Sequence, residues 1–199
     1  EWEPQSATLL VWPHIDTDWQ DTLNEIESTY FELSKAISRY QKLLIVCRDK
    51  AHQENITHQL AKNGIPENSY HIISCDYNDT WCRDYGPLFI RNDDNFIIKN
   101  FIFNGWSNKY PSEQDNQLTE YLYKQNTFKP NELCNHDFIL EGGSIDSDGQ
   151  GTILTTSSCL LKRHPDKNKT ALEQLLSEHL GVKTIHWLEH GKLVGDDTD

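Results

Sequence analysis

Methionine is absent from this chain of 199 residues, which opens at Glu1 and closes on the polar run Gly195-Asp196-Asp197-Thr198-Asp199. Both features lead to the expectation that these residues are part of a longer polypeptide. Basic residues are scarce: 18 Lys and Arg stand against 31 Asp and Glu, a formal net charge of −13. That balance argues against a nucleic-acid backbone or an anionic membrane as partner, since both need a basic face, and it leaves room for a cationic small molecule. No apolar run approaches the roughly 18 residues of a membrane helix, and no charged-then-apolar leader is present. The five cysteines (Cys47, Cys75, Cys82, Cys134 and Cys159) contain no CxxC pair. A zinc ribbon and a thioredoxin motif are therefore excluded, and free thiols in a reducing cytoplasm fit best. The 9 histidines show no HExxH or paired metal spacing, so no metal site is expected, and His58 and His164 read as surface residues.

What the chain does have is large apolar surface. Aromatic residues make up 11% of it, with 6 Trp, 8 Tyr and 7 Phe, enough to build a buried core. Short apolar runs predict strands at 6–12, 42–47, 70–75, 138–141, 152–156 and 182–188, and a hairpin pairs 86–91 with 96–103 across Asn92-Asp93-Asp94-Asn95. Helices are predicted at four places. Leu23, Ile26, Tyr30, Leu33 and Ile37 mark the first, with Asp16 or Thr17 near its N-cap; the others cover 51–63, 112–125 and 167–180. Gly64 and Gly181 stand where helix C′ residues belong. Alternating strands and helices make the class α/β.

Acidic clusters punctuate strand ends at 76–84, 141–148 and 196–199. Asp84 and Glu141 are 57 residues apart, and Glu141 and Asp197 are 56 apart. Such a period suggests strand–helix–strand units that each place a carboxylate at the same end; the alternative is an open sheet with acidic loops. In Trp81-Cys82-Arg83-Asp84-Tyr85-Gly86-Pro87, read as a strand-to-strand corner, Asp84 beside the Trp81 ring suits a planar cation, through charge-assisted hydrogen bonds and a π face. Otherwise Asp84 pairs with Arg83 or caps a loop. Glu141 ends an apolar strand before Gly142-Gly143, whose lack of side chains permits close approach. Two carboxylates can grip a guanidinium fork, which one cannot; the bland reading of Glu141 is a tight turn with a solvated side chain. Asp196–Asp199 suits a divalent cation, an amine or a frayed end, and Asp146-Ser147-Asp148-Gly149 reads as a hairpin turn because the calcium-loop Glu is missing. Cys47 and Cys75 lie in apolar strands and read as buried and inert; Cys82, among carboxylates, is a poor nucleophile.

Several segments together resemble one family. They are Trp12-Pro13-His14, Asn78-Asp79-Thr80-Trp81 running into Arg83-Asp84-Tyr85-Gly86, Phe103-Asn104-Gly105-Trp106 with Lys109-Tyr110-Pro111, Leu140-Glu141-Gly142-Gly143-Ser144, Thr155 to Leu161, and Gly195 to Asp199. In order and from end to end, the chain is similar to the agmatine deiminases, a family that includes bacterial peptidyl-arginine deiminases. The resemblance implies a five-bladed α/β propeller (a pentein) of which residues 1–199 cover roughly three blades of one catalytic domain. It implies that Asp84 and Glu141 bind the substrate guanidinium, that Trp81 lines the site and that Asp197 meets the distal amine. In such enzymes a cysteine thiolate attacks the guanidinium carbon, ammonia leaves, and water hydrolyses the amidino-cysteine adduct. A histidine serves as acid and base, and there is no metal or organic cofactor. That cysteine and histidine fall outside residues 1–199, so the chain alone is expected to be inactive. The implied reaction is agmatine to N-carbamoylputrescine and ammonia. Alternatives are deimination of a C-terminal arginine in a peptide, a non-catalytic propeller that binds a macromolecule and, last, a metal-binding module. A cytoplasmic setting is expected, and a homodimer is compatible with the sequence.

Overall fold

The computed structural model describes residues 4–92 and 95–191, which form two compact units divided between Cys82 and Arg83. The class is α/β, built on three separate three-stranded sheets.

In the first unit, strands β1 (Ala7–Val11), β2 (Lys42–Cys47) and β3 (Tyr70–Ser74) are all parallel. Parallel neighbours need crossover connections, and helices α1 (Leu23–Ile37) and α2 (Lys50–Lys62) supply them. The continuous apolar run of β2 is buried from Leu43 to Cys47, as a central strand covered on both faces should be. Ile45, Ile56, Leu60 and Trp12 form the middle of this core, and Trp12 is wedged against Tyr30 and Phe31. Asp49 caps α2 by accepting the His52 N–H, and Gly64 follows its end with φ +74°. The expected cap of α1 is not there. A 3-10 turn at Gln20–Thr22 precedes the helix, while Asp16 pairs with Arg48 and the Thr17 hydroxyl donates to the His14 carbonyl.

The division falls within α3, a helical turn at Cys82–Tyr85 where the sequence suggested a strand-to-strand corner. Strands β4 (Leu88–Asn92) and β5 (Asn95–Ile102) form the expected hairpin. Then come α4 (Gly105–Asn108), α5 (Leu118–Lys124) and β6 (Glu132–Ile139), which pairs parallel to β5. The third sheet repeats this order. Strands β7 (Ile145–Ser147) and β8 (Thr152–Thr156) make a hairpin, helices α6 (Ser157–Arg163) and α7 (Lys169–Leu180) follow, and β9 (Thr184–Leu188) returns parallel to β8. Asp148 closes the β7–β8 turn by accepting from the Gln150 and Thr152 amides, as a turn aspartate does. Leu160, Leu172, Leu176 and Leu180 pack with Phe101, Phe138 and Ile153 into one core beneath both sheets.

Four further expectations need correction. The predicted helix 112–125 is α only from Leu118, because its first half is tied to the strand end: Asn116 accepts the Phe103 N–H and Asp115 is buried in a 3-10 turn. Strand β6 starts at Glu132, six residues before its apolar portion; at the edge of its sheet it tolerates polar residues. His164 is not at the surface. It lies flat on Phe138 (4.3 Å between centroids, 6° between planes), with Nε2 2.8 Å from the Ile139 carbonyl. Cys47 is buried, whereas Cys75 is only half-buried, and burial together with Asp76 pushes its thiol up to about 11.

Candidate active site

Asp84 and Glu141 belong to the same unit and are both buried, so the solvated-turn reading of Glu141 falls. Each stands four residues before its hairpin, Asp84 before Leu88 and Glu141 before Ile145. The glycine after Glu141 is where the two loops meet. A Cβ on Gly142 would come within 2.2 Å of the Arg83 carbonyl oxygen, so no other residue permits this approach. It brings the Gly143 amide to Asp84, donating to Oδ1 at 2.9 Å, while the Trp106 indole donates to Oδ2 at 3.2 Å. Asp84 thus caps the glycine loop, and its neighbour Arg83 reaches the Ile145 carbonyl.

Glu141 holds a guanidinium, and it is one the chain itself supplies. Arg163, at the end of α6, donates through Nε to Glu141 Oε1 and through Nη1 to Ser107 Oγ at 2.9 Å. The two side chains are 1% and 0% exposed. A buried carboxylate stripped of water needs such a charge-assisted partner to remain an anion at low cost. Ser144 and Thr155 fix the backbone around it: Ser144 Oγ donates to the Glu141 carbonyl, and Thr155 Oγ1 to the Ser144 carbonyl.

Trp106 and Ser107 reach these partners from an unusual backbone. Gly105, Trp106, Ser107 and Asn108 all have φ between 56° and 67°, which makes α4 a single turn of left-handed helix. Left-handed geometry costs roughly 1–2 kcal/mol for each residue with a Cβ. Gly105 has none, and a Cβ there would meet the Tyr110 carbonyl oxygen at 2.1 Å. Asn104 holds the turn together, its side chain accepting from the Ser107 amide and its carbonyl from the Asn108 amide. The Trp106 ring stands edge-on to Phe103 and Tyr110.

Trp81 lies in the first unit. Its ring is 39% exposed and tilts against Trp19 at 5.6 Å, and the Trp19 indole donates to Thr80. A half-exposed, rigidly backed aromatic face of that kind can take a flat cation. Asp197 lies outside the described residues. The sequence reading missed Arg163 and the left-handed turn. A run of Asn104-Gly105 before a Trp was the available signal for positive φ; nothing in the spacing marked Arg163. Among the described residues no group of three or more His, Cys, Asp or Glu could hold a metal ion, and no helix is long and apolar enough to cross a membrane.

Comparison with known proteins bears on these features. An agmatine deiminase of Stutzerimonas stutzeri (strain A1501) is 31% identical over all of this chain and 54% of its own length. One from Medicago truncatula is 32% identical over all of this chain and 55% of its own. Among solved structures, an agmatine deiminase of C. jejuni with substrate bound superposes with a TM-score of 0.88 at 40% identity, covering 100% of this chain and 57% of that one. An agmatine deiminase of Enterococcus faecalis gives 0.83 at 31% identity, over 96% of this chain and 52% of that one. The chain spans about half the length of the curated relatives it matches. The model of the Porphyromonas-type peptidyl-arginine deiminases matches residues 1–199 throughout, and the chain belongs to that family.

Proposed function

We propose that this chain carries the substrate-gripping half of a guanidino-group hydrolase that converts agmatine and water to N-carbamoylputrescine and ammonia. The observation that carries this reading is the buried pair Asp84 and Glu141, set in one unit by a glycine loop that one carboxylate caps. In this reading Asp84 and Glu141 face the substrate guanidinium, Trp81 provides an aromatic wall, and Asp197 meets the distal ammonium. The cysteine that attacks the guanidinium carbon and the histidine that moves protons belong to the full-length protein beyond residue 199. Attack expels ammonia and leaves an amidino thioether; water then adds to its carbon and the thiolate departs, giving the ureido product. No cofactor takes part.

The repeated hairpin–helix–strand plan of the second and third sheets supports reading them as blades of a five-bladed propeller, of which residues 1–199 supply three. A cytoplasmic homodimer acting on a small cation fits the same reading: none of the five cysteines, all among the described residues, is in a disulfide, and the net charge is −13. The name of the matching family favours a second substrate, the C-terminal arginine of a peptide. The acidic Asp197 favours agmatine, whose far end is an amine rather than a carboxylate.

The test offers agmatine, free arginine and a peptide ending in arginine to the full-length protein and follows ureido product and ammonia. Agmatine turnover that disappears in folded Asp84→Ala and Glu141→Ala variants is the expected result. Turnover of the peptide alone would move the substrate, and turnover of none would replace the enzyme with a binding module.

A further inference from the structure

Four consecutive residues with positive φ, three of them carrying side chains, are a conformation the chain adopts against its own preference. Strain of this kind persists where surrounding contacts over-determine it, and α4 is held from both sides. Asn104 and Gly105 close the turn through the amides of Ser107, Asn108, Lys109 and Tyr110. What the strain achieves is visible in its two central residues. Trp106 donates to Asp84, and Ser107 accepts from Arg163, which in turn donates to Glu141. The Gly143 amide, two residues after Glu141, returns to Asp84 and completes a ring of contacts. A right-handed turn would fan adjacent side chains about the axis in the opposite sense.

We propose that α4 is a brace that sets the position of both carboxylates at once, with Trp106 and Arg163 as positioning residues for the guanidino chemistry; the inference rests on the function proposed above and deepens it. Trp106 fixes the rotamer of Asp84 from one side while the Gly143 amide fixes it from the other. Arg163 fixes Glu141, and Ser107 aims Arg163. Neither Trp106 nor Arg163 needs to touch the substrate. Their effect is on how well two carboxylates are aligned before it arrives, a property that catalysis amplifies.

Two substitutions in the full-length protein separate this from a structural role. Trp106→Phe keeps an aromatic ring between Phe103 and Tyr110 and removes the N–H donor with the pyrrole part of the indole. Ser107→Gly relieves positive φ and removes only the acceptor, so a merely structural role predicts a protein as active and at least as heat-stable. The brace predicts that both variants lose about 10- to 100-fold in kcat for agmatine, with KM changed far less and thermal midpoints retained. It also predicts faster hydrogen exchange in Trp106→Phe at the peptide spanning Leu140–Ser144, which holds the Gly143 amide. Wild-type kcat, KM and exchange in both variants would overturn it. If the wild-type protein turns over no guanidino compound, the proposed function fails separately and exchange decides alone: acceleration in Trp106→Phe upholds the brace, and unchanged protection ends it.

Discussion

Replacing Glu141 by Leu removes one half of a buried ion pair and leaves the other. Both side chains of the Glu141–Arg163 pair are essentially inaccessible to water. Stranding a buried charge costs about 3–5 kcal/mol, a large share of the roughly 5–15 kcal/mol that ordinary proteins have. Arg163→Met should cost a similar amount, with about 1 kcal/mol more for the hydrogen bond Arg163 gives Ser107. The double variant Glu141→Leu with Arg163→Met buries two apolar chains of similar length instead, a replacement that is often neutral or better. Urea unfolding of the full-length protein reads this directly. With a slope of about 2 kcal/mol per molar urea, Glu141→Leu lowers the midpoint by about 1.5–2.5 M and Arg163→Met by about 2–3 M, and the double restores most of it. The double should nevertheless be inactive toward agmatine, because the carboxylate is gone. A double that is as unstable as the two single changes added together would show that the pair is not mutually compensating. A stable double that still turns over agmatine would reduce Glu141 to a structural residue.

Two glycines with positive φ should respond very differently to alanine. At Gly64 a Cβ meets nothing within 4 Å, so Gly64→Ala should cost only the left-handed backbone term, about 1–2 kcal/mol. At Gly105 the Cβ would strike the backbone of Tyr110, so Gly105→Ala should lose clearly more stability and activity as well; equal urea midpoints would refute this. Acidification should weaken the first unit. Burial lowers His14 and brings His52 from 6.5 to about 4; Arg48 disfavours charge on both and His14 on His52, while Asp16 and Asp79 (for His14) and Asp49 (for both) oppose the shift. For a histidine whose folded pKa is depressed, the unfolded chain takes up protons first as pH falls. The His52 contribution is therefore full above about 6.5, declines toward 4 and then levels, and the lowered His14 acts in the same direction. At about 1.4 kcal/mol per pH unit, His52 contributes at most about 3.5 kcal/mol of loss, and less after solvent screening of a half-buried ring. A His52→Phe variant should show a flatter stability profile between pH 6.5 and 4, and an unchanged profile would assign the acid sensitivity elsewhere.

Periodicity and turn chemistry made most of the fold legible before any coordinates. Strand β2 runs over the same residues the apolar run marked, and the hairpin of β4 and β5 follows its Asn and Asp turn signal. What escaped has a common physical cause. The polar half of β6 gains its extended form from pairing with β5, not from its own composition, and α6 is a seven-residue helix secured by the Thr156 cap and by packing of Cys159 and Leu160. Both depend on tertiary partners that spacing does not reveal. The site divides along the same line. Asp84 and Glu141 were visible because a carboxylate beside Gly and Trp is unusual in a simple turn. Arg163 was invisible because its partner is 22 residues away with no periodic relation to it. The left-handed turn is likewise defined by what Trp106 and Ser107 touch.

The repeat explains why these two carboxylates are tied into one hydrogen-bond network. Asp84 and Glu141 are equivalent positions of successive repeats within the second unit, each four residues ahead of a hairpin whose second strand is followed by a helix and a parallel return. Equivalent positions of a repeated unit present their side chains to the same side of their own sheets. Had the two loops been independent, each carboxylate would rely on its own unit for partners. Instead Asp84 is held by the Gly143 amide of the next repeat's loop, and Glu141 is held by Arg163, which also leans back on Ser107 of the earlier repeat. Each repeat therefore finishes the carboxylate environment of its neighbour. That interlock makes the spacing of the two charges a property of the packed pair of sheets, and it accounts for why a strained turn between them is retained.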